Sequence, residues 1–436
     1  MPFDAPSDLI ANLQHVLTNL TSNPYPYIPN PPQCKKRASV ALVIRIRPHP
    51  SQWPSKEASA LSDNETPSVA DQLETFFGED WVKQGDPEVL FIKRAARSGD
   101  RWTGHVALPG GKRDPEDEDD RAAAIRETLE EVGLELTAKN AISVGNLPER
   151  VVTTSWGKVP LMVLCPFVFL VTQHEVQPLR LQPSEVGSAH WVSVRALLSP
   201  ALRTFERADV TDRLASRWGM ASRGFLRAML GQMLFSAVRL VPTESLYSST
   251  IPGFLPEPAS NSIDGEASYF ERLMKWQPGE YGGSTSTDKP LLLWGLTLGI
   301  LADFLMLLPP HDAMQLWTYP TFSRRDVRFV VWMMTYSFRR RKESELEHGE
   351  QGTTAAIEEG LDAVSAPTAE KPEVATGVVG MGRLGVGNSQ SSAVGLMLEG
   401  YYDLVRKAVT VTMIGRGALV VTLATTLWIR FRRNQA

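Results

Sequence analysis

Residues 108–134, LPGGKRDPEDEDDRAAAIRETLEEVGL, constrain this chain more than any other stretch of its 436 residues. A proline and two glycines are followed by a run of acids, and apolar residues then return at helical spacing. The spacing predicts a helix over about 120–132, with Ala122, Ile125, Leu129 and Val132 at i, i+3, i+7 and i+10 on one apolar stripe. Glu127, Glu130 and Glu131, at i, i+3 and i+4, are expected close together on the opposite face. Gly133 stands where a left-handed cap ends a helix. Pro109, Gly110 and Gly111 close the short run His105-Val106-Ala107-Leu108 and allow the backbone a tight turn.

Like charges at i,i+4 on an exposed helix cost about 0.2–0.5 kcal/mol per pair, so a face that served only solubility would mix in a lysine. A hard divalent cation reverses the sign. Mg²⁺ (or Mn²⁺) is bound by carboxylate oxygens and keeps its remaining positions for water and substrate phosphates. Glu127, Glu130 and Glu131 are therefore candidate metal ligands. The turn Pro109-Gly110-Gly111, with no side chain in the way at its glycines, can bring a backbone carbonyl to the same ion.

At this point the residues resemble a known family. The stretch from Gly111 through Arg126, Glu127, Glu130, Glu131 and Gly133 to Leu134 is similar to the Nudix box, a glycine and an acid followed by R-E-x-x-E-E-x-G and an apolar residue. Residues 112–125 separate the glycine from the arginine, one more than in the common form. That expansion, with GGKRDPxDxDD, resembles the coenzyme A diphosphatase branch of the Nudix hydrolases. The resemblance implies that Glu127 and Glu131 are metal ligands, with Glu130 and the Gly110 carbonyl beside them. It also implies that Arg126 pairs with an earlier acid, either Asp117 or Glu118. Arg94, Gly104 and the PGG spacing fit that branch's signature, whereas Asp100 and Trp102 stand where arginine and histidine are typical. Arg94, Gly110 and Gly111 are expected to contact substrate. Pro183-Ser184-Glu185-Val186 resembles the segment that closes a Nudix site, which makes Glu185 a candidate supporting acid or base. The implied activity is Mg²⁺-dependent cleavage of the diphosphate in a nucleoside-diphosphate-linked small molecule, with coenzyme A or its thioesters first. NAD(H) or ADP-ribose, or a non-catalytic Nudix scaffold, are the alternatives.

The expected fold is α/β, an α/β/α sandwich around a mixed sheet, because strand-like runs flank the acidic helix on both sides. Residues 38–46, 89–94, 141–147, 161–172 and 190–194 read as strands. The division expected is an amphipathic helix and Pro-rich linker over 1–35, then the Nudix domain over 36–310 with insertions at about 49–86 and 198–289. Helical spacing is expected over 207–240, and a short helix near 270–276. A basic and apolar helical segment follows over 311–342, then a disordered linker over 343–394 and a final helix over 395–436.

Residues 291–308 are apolar enough for a membrane span, but Trp294-Gly295-Leu296-Thr297 resembles the opening of the branch's buried closing helix. In the last helix, residues 409–429 are long enough to cross a bilayer, with Arg416 inside them and Arg430, Arg432 and Arg433 after them. A tail anchor, a helix packing on the domain or on a second copy in a homodimer, and an interfacial amphipathic helix are the readings carried forward. A net charge of −4 gives no electrostatic case for nucleic acid. Two cysteines, Cys34 and Cys165, make no disulfide framework and suit an intracellular protein. Asp4 and Asp8 argue against an organelle transit peptide.

Overall fold

A computed structural model describes residues 6–32, 34–54, 67–95, 103–154, 159–209, 224, 227–250, 290–309, 317–358, 393–398 and 400–435. It divides into two compact units, residues 1–150, 161–205 and 236–317 in the first and 151–160, 206–235 and 318–436 in the second.

The first unit is built around strand β1 (Arg37–Arg47), whose run of β-branched and apolar residues is buried on both faces. β1 runs parallel to Val159–Val171 in register Arg37↔Val163 to Arg45↔Val171. On its other side it changes partner along its length. Its C-terminal half pairs antiparallel with β2 (Asp86–Arg94; Ile44↔Val89), while its N-terminal half pairs with β4 (Gly110–Lys112; Ser39↔Gly111). The short β3 (Val106–Ala107) lies on the end of β2. β5 (Ala141–Asn146) pairs with Val159–Val171. Val186–Ser193 pairs with β2, and Glu244–Tyr247 with Val186–Ser193, giving a mixed sheet.

Alternation along β1 assigns the two faces. Ala41 and Val43 join a core with Leu90, Ile92, Phe169 and Trp191 against Ala124 and Val132 of helix α4 (Asp120–Val132). Ile46, of the other parity, faces the turn at Gly85 beside Trp81. On that side lie α1 (Pro6–Ser22), which buries Leu9, Leu13, Val16, Leu17 and Leu20, and the pair α2 (Val69–Gly78) and α3 (Asp80–Lys83). A helix layer on each face makes the α/β/α sandwich.

Helices α2 and α3 occupy a stretch whose composition suggests a loop. The start signal is present: Ser68 caps the Asp71 N–H at 3.2 Å and Asp71 returns a bond to the Ser68 N–H at 3.2 Å. Leu73, Phe76, Phe77, Trp81 and Val82 are then buried, so apolar spacing outweighs the polar average. The expected insertion over 198–289 is likewise partly structural. Met233–Arg239 is a strand, not a helix, because Ala237, Val238 and Arg239 find partners in Trp294, Leu293 and Leu292. The helix expected near 270–276 lies outside the described residues.

Gly295–Met306 is a helix of 12 residues with Leu298 to Leu305 buried. Its one charge, Asp303, is bound by the equally buried Arg150. A charge satisfied inside the unit, in so short a helix, is the closing-helix arrangement.

The second unit contains two long helices, Arg325–Glu358 and Tyr401–Gln435, with Ala393–Leu398 before the latter. Asp326 pairs with Arg416 and Phe338 packs on Tyr401, so the long helices run antiparallel. Helix persists to Glu358, into the expected linker, because glutamate, glutamine and alanine there are strong helix formers. Residues 359–392 lie outside the described residues.

Candidate active site

Helix α4 begins at Asp119, whose side chain accepts from the Ala122 N–H at 2.7 Å, and ends at Gly133 with φ 68°. A Cβ at Gly133 would lie 2.7 Å from Arg180 Cβ. The same crossing segment donates its Arg180 and Gln182 N–H groups to the carbonyls of Val132 and Glu131 at 2.7 and 3.0 Å, satisfying the helix end.

The face turned to the sheet differs from the expected stripe. Ala123, Ala124, Thr128, Glu131 and Val132 are buried, Ala122 and Ile125 are half-buried, and Leu129 is exposed. The helix is rotated by roughly one residue, about 100°, from the orientation that apolar spacing alone predicts. The three glutamates consequently do not share one solvated face. Glu131 is 2% exposed, the Glu127 side chain 13% and the Glu130 side chain 56%.

The burial of Glu131 is supported by the glycine turn. Its carboxylate accepts from the Gly110 N–H at 2.9 Å. Gly110 has φ 145°, and a Cβ there would lie 2.6 Å from Val40 Cα in β1. Gly111 is constrained by Glu127 itself, since a Cβ would stand 2.6 Å from Glu127 Oε1. Both carboxylates thus converge on a backbone stripped of side chains.

Arg126 organises the rest. Its Nε and Nη2 donate to the two oxygens of Asp117 at 2.9 Å each, which settles the pairing left open between Asp117 and Glu118. Nη1 reaches Glu127 Oε1 at 3.1 Å and Glu130 Oε2 at 3.0 Å, and Nη2 also donates to the Lys112 carbonyl at 3.1 Å. One guanidinium holds three carboxylates and the turn after Gly111 in fixed relation.

The electrostatics follow from this packing. Arg126 holds the Asp117 carboxyl below the usual range. Burial raises Glu127, against the pull of Arg126. Burial pushes Glu131 up to about 7, opposed by the Gly110 N–H and by Arg94, and reinforced by the charges of Glu127 and Glu185. Arg94, at the end of β2, and Glu185, immediately before Val186–Ser193, therefore both act on the box carboxylates. Asp100 and Trp102 lie outside the described residues. Thr297 donates to the Val106 carbonyl at 3.5 Å and Trp294 packs on His105, placing the WGLT segment against the strand that leads into the box.

An all-oxygen donor set, with two carboxyls raised by burial and by neighbouring carboxylates, suits a hard divalent cation, which would relieve both. A second acidic cluster does not. Asp120, Glu149 and Cys165 lie within 4.8 Å of one another, but the Arg37 guanidinium already sits among them. It donates to Asp120 at 2.7 Å, to both Glu149 oxygens at 2.9 Å and to Cys165 Sγ at 3.1 Å. No local spacing announces this cluster, because its members come from β1, α4, the segment after β5 and Val159–Val171.

Sheet, glycine turn and acidic helix together define a protein of the Nudix fold. A family model described as the NUDIX domain matches residues 81–214. An uncharacterized protein of Schizosaccharomyces pombe is 32% identical over 337 residues, 77% of this chain and 83% of that one. The mitochondrial coenzyme A diphosphatase NUDT8 of Mus musculus is 43% identical over 61 residues, 14% of this chain and 29% of its own length. The peroxisomal coenzyme A diphosphatase NUDT7 of Mus musculus is 65% identical over 34 residues, 8% of this chain and 14% of its own. The chain thus spans less than a third of the two named diphosphatases, and it belongs to the Nudix hydrolase family.

Proposed function

We propose that this Nudix hydrolase cleaves the diphosphate of a nucleoside-diphosphate-linked substrate, coenzyme A or its thioesters foremost, with Glu127, Glu130 and Glu131 holding Mg²⁺ or Mn²⁺. The observation that carries the reading is the convergence of the Glu127 and Glu131 carboxylates on Gly110 and Gly111, with Arg126 fixing Glu127 and Glu130 from the other side. Bound there, the metal would neutralise phosphate oxygens and lower the pKa of a coordinated water.

The chain's own part is positioning. Arg126, locked by Asp117, keeps the Glu127 and Glu130 oxygens from rotating away. The Gly110 N–H orients one Glu131 oxygen and leaves the other for the ion. Arg94 supplies positive charge beside Glu131, suited to a substrate phosphate, and Glu185 supplies a further carboxylate that can take up a proton. Positioning and charge neutralisation are the larger part of what phosphoryl transfer asks of a protein.

The coenzyme A preference is supported by the two short, high-identity matches to coenzyme A diphosphatases and by the WGLT helix beside the box strand. A panel of coenzyme A, an acyl-coenzyme A, NADH and ADP-ribose, with Mg²⁺ or Mn²⁺ and nucleotide release as readout, tests it. Coenzyme A compounds are expected to be cleaved fastest. Faster cleavage of NADH or ADP-ribose would overturn the substrate assignment and leave the chemistry standing.

The reading also places the enzyme at an intracellular membrane through Tyr401–Gln435. Its most apolar eighteen-residue window has a mean hydropathy of 1.6 and is only 11% buried.

A further inference from the structure

Within the second unit, the last helix loses its protein neighbours partway along its length. One face of Tyr401–Gln435 is buried at Tyr401, Val405, Ala408 and Thr412. Arg416 is the last residue to pack, with Nε donating to Asp326 at 2.7 Å and Nη1 to the Met229 carbonyl. From Gly417 to Asn434 every residue is exposed.

The uncovered segment has three properties in common with a helix solvated by lipid. It carries no charge from Gly417 to Ile429. Its exposed Leu419, Val420, Val421, Leu423, Leu427 and Ile429 point to all sides, and its hydroxyls, Thr422, Thr425 and Thr426 at i, i+3 and i+4, make one uncharged patch a single turn long, too short a polar face for a helix to lie on at an interface. Its hydroxyls are satisfied within the helix: Thr422 donates to the Ala418 carbonyl, and Thr425 and Thr426 to the Thr422 carbonyl, each at 2.9 Å. Arg430, Arg432 and Arg433 follow at once, with Arg432 stacked over Trp428 at 4.4 Å.

Resting on the membrane association proposed above, we infer that residues 417–429 cross a lipid bilayer, with the Arg416–Asp326 pair marking the near boundary and Arg430, Arg432 and Arg433 meeting the far headgroups. This moves Arg416 out of the hydrocarbon, where the sequence alone had put it. It also shortens the crossing segment. Thirteen residues rise about 20 Å, against a hydrocarbon core of about 30 Å. Stopping midway would leave three guanidinium groups in hydrocarbon, and each of them costs about as much as thinning the bilayer over the whole of the missing distance, roughly 10 Å. The helix therefore crosses, and it favours a thin membrane.

The test adds the purified full-length chain to preformed phosphatidylcholine–phosphatidylserine vesicles. Flotation reads membrane association. A thiol introduced by Asn434→Cys, probed with an impermeant maleimide, reads crossing, and wild type serves as the blank because Cys34 and Cys165 are buried. The expected result is flotation, loss of labelling in intact vesicles, full labelling after detergent, and more insertion into short-chain than long-chain lipid. Flotation with the thiol labelled in intact vesicles would overturn the crossing and keep the association. Failure to float, with the chain dimerising through the same helix in solution, would overturn both. Val421→Arg is expected to abolish flotation without changing the hydrolytic rate.

Discussion

The Arg126 guanidinium grips both oxygens of the Asp117 carboxylate at 2.9 Å, and through its remaining nitrogen touches Glu127 and Glu130. Glu118, one residue on from Asp117, supplies only a backbone carbonyl, to Arg113 at 2.9 Å. Asp117→Asn removes the charge that holds Arg126 without touching a proposed ligand. Hydrolysis is expected to fall by about 10–100-fold, the usual cost of losing a group that orients a metal ligand. Glu118→Gln should leave the rate unchanged, and steady-state kinetics on the two variants separate the outcomes. Equal rates would mean that Arg126 is positioned by something other than Asp117.

Gly111 faces the Glu127 carboxylate so closely that even a methyl group displaces it. Gly111→Ala is expected to cost roughly 1–3 kcal/mol in stability, as overpacking does, and to weaken metal binding as Glu127 moves. A melt and a Mn²⁺ titration of the same preparation measure both. Unchanged Mn²⁺ affinity would remove Glu127 from the ligand set.

Glu131 carries a pH dependence whose direction is fixed. Its folded-state pKa, about 7, lies above the ordinary 4.5, so the folded protein holds this proton more tightly than the unfolded chain. Without metal, stability falls as pH rises from about 4.5 to 7, and above that the full cost of about 3 kcal/mol is present. A divalent cation bound to the carboxylate offsets this cost. Mg²⁺ is therefore expected to raise the melting temperature more at pH 8 than at pH 5, read by scanning fluorimetry. Equal shifts at the two pH values would place the ion elsewhere.

Arg37 neutralises Asp120 and Glu149 in a site where all three side chains are under a tenth exposed. Arg37→Met leaves two buried carboxylates without a counter-charge, and the loss is expected to reach about 3–5 kcal/mol. Urea unfolding measures it. A loss below about 1 kcal/mol would show that water reaches the cluster.

The grouping of Arg126 with Glu127 and Glu130 was legible because they are neighbours on one helix, where spacing alone brings them together. The rotation of that helix was not. Apolar spacing favoured burying Leu129, but Gly110 and Gly111 leave room for a carboxylate, and the Gly110 N–H draws Glu131 inward. Strand β1 was read from its own composition, yet its change of partner from β2 to β4 depends on residues about 45 and about 70 positions away in sequence (Ile44↔Val89, Ser39↔Gly111). Helices α2 and α3 were hidden by surrounding serines, prolines and acids, although the Ser68–Asp71 capping box was there to be seen. Arg37 with Asp120, Glu149 and Cys165 had no sequence signature, because four separate segments build it.

On the proposed reading, buried Glu131 is tolerated because it holds a metal against a diphosphate. The most direct test is release of nucleotide from coenzyme A in Mg²⁺ by wild type and by Glu131→Gln, with both shown to be folded. Hydrolysis by wild type is expected, with a loss of orders of magnitude in the variant, at unchanged or higher stability in the absence of metal. A variant that hydrolyses as fast as wild type would contradict it.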